Sequence, residues 1–129
     1  MNYNFLKFGL ISIFSVTIIF HLLVISGIIP FDIVWGGKLN SREMMYRMES
    51  VSILLNALFL LVILIKTKVI SWSVCDKAIH VILYIMSGFF ALNTIGNLLA
   101  EKSLETYLFT PLTLLLAIMC FYLTRVETR

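Results

Sequence analysis

Four stretches of this chain are long and apolar enough to cross a lipid bilayer as helices, and that feature limits the fold more than any other. A hydrocarbon core of ~30 Å needs ~20 mostly apolar helical residues. Within hydrocarbon, backbone polar groups must find partners inside their own segment, so runs of this kind fold as helices. The expected spans are residues 8–29, 48–65, 79–100 and 104–123. The expected fold is all-α: a polytopic membrane protein, a four-transmembrane-helix bundle with short loops. Residues 1–129 form one integral membrane domain in this reading, with no repeat and no Pro-, Gly- or Ser-rich linker. Composition agrees. The chain is 60% apolar and 13% charged, against about 45–50% and about 25% in ordinary soluble domains. A chain this small cannot hide so much apolar surface from water. A soluble enzyme, a disordered tail and a disulfide-stapled secreted module are therefore excluded.

Span ends can be placed from local chemistry. Asn40 followed by Glu43 resembles a capping box, which would start the second helix near Ser41. Its first turns, with Arg42, Glu43, Tyr46, Arg47 and Glu49, would then stand at headgroup level. The fourth span contains Pro111. A helix starting near Ser103 and kinked at Pro111 spans better than a shorter one capped by Thr110, and the kink would free the carbonyl of Tyr107. The apolar run from Phe8 to Ile29 is 22 residues long and has no A-x-A-like site after it. A cleaved signal has an apolar core of only ~7–15 residues, so this run is expected to be a retained span.

Charge sets the orientation. Four spans put both termini and the second loop on one side. That side holds Lys7, Lys66, Lys68, Lys77, Arg125 and Arg129, against Lys38, Arg42, Arg47 and Lys102 on the other. Cytoplasmic loops carry the Lys/Arg excess. The expectation is a multi-pass protein of the cell membrane with both termini cytoplasmic. Trp35, Tyr46 and Tyr107 fall near the outer boundary, and Tyr3, Trp72 and Tyr122 near the inner one, as interfacial anchors do. The net charge of +3 is divided between two membrane faces and gives no footprint for nucleic acid. Lys66, Lys68 and Lys77 can attract anionic lipid, at ~1 kcal/mol each, besides setting topology.

Several chemistries lack their residues. Cys75 and Cys120 form no C-x-x-C motif, which argues against a disulfide oxidoreductase. His21 and His80 differ in depth by ~17 Å and cannot share one haem iron. No other metal-ligand spacing is visible, so neither a metal nor a cofactor is expected. His80 lies four residues after Asp76 and reads as an interfacial pair at a helix start.

The strong uncharged polar residues gather in the expected outer half. His21 lies ~12 Å inside Ile29, Asn56 and Asn93 ~11 Å inside their span ends, and Asn97 ~5 Å. Thr110 and Thr113 fall in the same third. Glu49, Ser52 and Asn56 share a helix face by spacing, as do Asn93, Asn97 and Glu101, and Thr17 and His21. The inner half offers Ser12, Ser15, Ser87 and Cys120, which can bond within their own helices. Polar groups at depth are costly against lipid, so the stripes should face the interior. The candidate site is an outward-opening pocket of His21, Glu49, Asn56, Asn93 and Asn97, rimmed by Asp32, Arg42, Arg47 and Glu101. The competing reading is interhelical glue, with Gly88 and Gly96 allowing close helix approach.

Three functions follow from this layer. The first is a non-enzymatic ligand- or lipid-binding bundle, or an accessory subunit of a larger complex. The second is a subunit of an oligomeric small-solute or proton-coupled transporter, with His21 and Glu49 as relay. Small multidrug transporters have a similar size and span count, but they need an acid within the first span, where this chain has only His21. The third is an outward-facing enzyme on a lipid or small polar substrate, with His21 or Glu49 as base and Arg42 or Arg47 holding an anion. No serine or cysteine nucleophile stands beside a base, which favours a non-enzyme. Expected partners are the lipid bilayer and a homo-oligomer or larger membrane complex.

Overall fold

The structure, a computed structural model, describes residues 1–100 and 105–126. It is all-helical among these residues, with four helices long and apolar enough to cross a membrane. They are α1 (Tyr3–Ile25), α2 (Arg42–Lys66), α3 (Asp76–Leu98) and α4 (Thr110–Arg125), the last reaching spanning length, Thr106–Arg125, only together with the turn before it. Two short 3-10 turns, Phe31–Ile33 and Trp35–Gly37, lie in the α1–α2 loop, and a π turn, Glu105–Phe109, leads into α4. One end of the bundle carries this long loop. The other carries the termini and the 67–75 loop.

The helix ends follow local chemistry, with some differences from expectation. Asn2 caps α1 by accepting from the Asn4 amide at 2.9 Å. α1 stops at Ile25, four residues earlier than expected, because Gly27 takes a left-handed φ of 82° and folds the chain back. The Ile29 amide then bonds to the Leu23 carbonyl at 3.1 Å. Ser41, not Asn40, caps α2, its hydroxyl accepting from the Met44 amide at 3.1 Å. Glu43 therefore falls one position short of closing a capping box, and it pairs with Arg47 instead. At α4, the expected start at Ser103 lies outside the described residues. Pro111 sits in the first turn, directly after the π turn. Proline lacks an N–H and crowds the carbonyl four residues back, and the wider turn accommodates both defects.

The helices pair as two hairpins. α1 packs closely on α2 and α3 on α4, while α1–α4 and α2–α3 meet sparingly. The main core lies in the half nearer the termini, where Leu6, Leu10, Ile63, Leu83, Met119 and Leu123 are buried. Three rings join the hairpins there. Phe14 lies 6.2 Å from Phe59 and 5.7 Å from Phe90, and Phe59 lies 5.6 Å from Phe90. Edge-on ring pairs contribute about 0.5–1.5 kcal/mol each beyond buried area. At Gly9 an added Cβ would stand 2.7 Å from the Met119 methyl carbon, the flexible end of that side chain. Gly88 and Gly96 do not serve this purpose: both face open space with no atom within 4 Å.

A second, smaller core closes the long-loop end of the first hairpin. Val24, Val34, Leu39 and Met45 are buried together, with Phe20 and Phe31 against them. At this level the hairpins touch through Phe20 and Phe109, whose rings lie 5.4 Å apart, rather than through a shared buried core.

Candidate site at the long-loop end

Glu49 is fully buried one turn below this smaller core. A buried carboxylate needs donors for both oxygens. His21 of α1 supplies one, with Nδ1 donating to Oε2 at 2.6 Å. Trp35 of the loop supplies the other, with its indole N–H donating to Oε1 at 2.8 Å. Three segments thus meet on one side chain. The imidazole is largely covered, with 15% of its side chain exposed.

The loop takes an uncommon shape to deliver that indole. Trp35, Gly36 and Gly37 all have left-handed φ, at 54°, 64° and 69°. Glycine adopts this region at no steric cost, whereas tryptophan does not. The strain at Trp35 is offset by its bond to Glu49 and by the burial of neighbouring Val34. Trp35 was expected as an interfacial anchor, yet its polar edge points to the core. The Gly36–Gly37 pair is the sequence mark of this arrangement.

Directly above the triad is a cleft of about 430 Å³. Ile25 and Met45 line it, and each is one helical turn from His21 or Glu49 on the same face. Asp32 and Arg42, both expected at the rim, line this cleft too. They are not in ion-pair contact, so opposite charges share one cavity without neutralising each other directly.

The other expected site residues separate. Arg47 pairs with Glu43 on an exposed face of α2, away from the cleft. Asn56 shares the face of Glu49 but donates to the Ser52 carbonyl of its own helix at 2.8 Å. Asn97 belongs to the second hairpin: its amide donates to the Thr113 hydroxyl at 3.2 Å, and buried Thr94 donates to the same oxygen at 3.0 Å. Asn93 is half-buried, and its side chain makes no hydrogen bond to a described residue. Glu101 lies outside the described residues. The expected single layer is therefore two clusters, an acid–imidazole–indole triad in the first hairpin and a hydroxyl–amide cluster in the second.

No family model, curated protein or solved structure matches this chain.

Chemistry therefore has to be read from the arrangement itself. The triad contains no hydroxyl or thiol, and its carboxylate is already bound on both oxygens. No group of three His, Cys, Asp or Glu side chains able to hold a metal occurs among the described residues. Cys75 is exposed and Cys120 buried, and neither is bonded. The arrangement can hold a loop over a buried ionisable pair and offer a charged cleft above it.

Elsewhere two smaller expectations change. His80 is not paired with Asp76. Its Nε2 lies 2.9 Å from the Lys66 ammonium. Ser87 bonds across the second hairpin to the Ala117 carbonyl at 2.8 Å, while Ser15 bonds within its own helix.

Proposed function

We propose that this chain is a non-enzymatic membrane protein that binds a small zwitterionic ligand or lipid headgroup at its outer face. It spans the cell membrane four times, with both termini in the cytoplasm. The observation that carries this reading is the cleft with Asp32 and Arg42 on its walls above the buried His21–Glu49 pair. A ligand bearing both charges can satisfy both walls at once. Apolar lining from Ile25, Ile29, Pro30 and Phe31 would cover its uncharged part. An ionisable pair inside a span is itself a mark of function, since it is costly to keep there. The orientation rests on six Lys/Arg on the termini side against four on the other.

Native mass spectrometry of gently extracted protein tests the reading. The expected result is a retained small molecule or lipid, lost in Asp32→Asn and in Arg42→Gln while the melting temperature holds. A spectrum without any retained molecule, or one that both variants leave unchanged, defeats the ligand. A fixed protein partner in place of a ligand would make the chain an accessory subunit.

A second reading is supported by the His21–Glu49 contact at 2.6 Å. An imidazole and a carboxylate sharing a proton form a natural relay for a proton-coupled transporter. Four helices this short need further copies to enclose a pathway, so this reading requires a homo-oligomer in the same spectra.

A further inference from the structure

A second polar pair lies at the opposite end of the bundle. Lys66, the last residue of α2, is nine-tenths buried. Its ammonium contacts Nε2 of His80, an imidazole lone pair rather than an anion. Among the described residues no carboxylate lies within ion-pair distance of it. Buried cations are ordinarily paired with an anion, and here Asp76 acts on the ammonium only from beyond ion-pair distance. Lys68 and Lys77 add cations on either side of the 67–75 loop, with Asp76 the one acid between them.

Next to the pair is an apolar groove of about 430 Å³ between α2 and α3. It exists because these helices pack sparsely. Leu55, Phe59 and Val62 line it, and Lys66 continues their face by spacing of four, seven and eleven residues. Ile79, adjacent to His80, and Trp72 from the loop also line it. A hydrocarbon slot on a helix face that continues to a buried ammonium without a direct ion pair has the layout of an acyl chain joined to a phosphate.

We infer that this groove and the Lys66–His80 pair bind one anionic phospholipid from the leaflet on the termini side. The phosphate meets the Lys66 ammonium, one acyl chain fills the groove, and Trp72 covers its mouth. The inference is independent of the ligand proposed for the opposite end.

The test uses the full chain in mild detergent with equal phosphatidylglycerol and phosphatidylcholine of different mass, read by native mass spectrometry. Wild type should retain one phosphatidylglycerol with a preference of about fivefold, the ratio that one basic contact supplies. Lys66→Gln should bring the preference to parity, and Lys66→Arg should keep it. Val62→Trp fills the groove and should abolish retention of both lipids without lowering the melting temperature. Parity in wild type, or an undiminished preference in Lys66→Gln, overturns the inference. If Lys66→Gln does not fold, lipid retention by Val62→Trp equal to wild type overturns it instead. Inorganic phosphate erasing the preference at millimolar concentration would show a free-anion site and also overturn it.

Discussion

The indole N–H of Trp35 donates to Oε1 of Glu49 across 2.8 Å, fastening the α1–α2 loop to the middle of a helix face. This bond explains why a tryptophan tolerates a φ of 54°. Trp35→Phe keeps the ring and removes the donor. It should cost about 1.5–3 kcal/mol, the range for a hydrogen bond to a charged group. Thermal unfolding in detergent checks this. Gly37→Ala should cost about 1–2 kcal/mol through left-handed strain alone, with no bond removed.

Glu49 serves two donors, so its loss should exceed the loss of either. Glu49→Ala leaves His21 and Trp35 without their acceptor and should destabilise by about 3–5 kcal/mol. Glu49→Gln preserves shape and one acceptor oxygen and should cost less. In a double-mutant cycle, His21→Ala and Glu49→Ala should fall well short of additive. Additivity within about 0.5 kcal/mol would mean the two side chains act independently.

The glycines should divide into two classes. Gly9→Leu must displace Met119 and should cost about 1–3 kcal/mol by overpacking α1 against α4. Gly88→Ala and Gly96→Ala meet open space and should be neutral or stabilising by up to about 1 kcal/mol each. Melting curves of the three variants distinguish a packing glycine from a surface one.

Orientation and access can be read by labelling with a membrane-impermeant maleimide. Lys38→Cys should label from outside intact cells, and native Cys75 only after the membrane is opened. In a Cys75→Ser background, Asn56→Cys should be protected, because its helix face carries buried Ser52 and Glu49. Asn93→Cys, half-buried and unbonded, should label more readily. A reversed pattern at positions 38 and 75 would invert the proposed topology.

Helix number and the face shared by Glu49, Ser52 and Asn56 were legible because hydrophobic length and the 3.6-residue period are local properties. The similar depth of His21 and Asn56 was legible for the same reason. Depth does not decide which hairpin a residue joins. His21 and Asn97 were expected in one layer, but the first bonds across to α2 and the second to α4. Trp35 was missed because an interfacial tryptophan and one folded back through a Gly-Gly turn have the same composition. The Lys66–His80 contact was missed for a related reason: the i, i+4 neighbour Asp76 was nearer in sequence than the end of the preceding helix.

In the proposed four-span topology, the division of the bundle into two tightly packed pairs bears on how a ribosome and an insertion machine would deliver it. Each pair can enter the bilayer as a unit, with its own close helix contacts formed before the other emerges. In that order of events the three phenylalanine rings would dock one unit on the other as the later step. Two half-proteins separated within the 67–75 loop should assemble when made together in one cell. Phe90→Ala, which removes one ring of that dock, should impair the rejoining of halves far more than it impairs the intact chain.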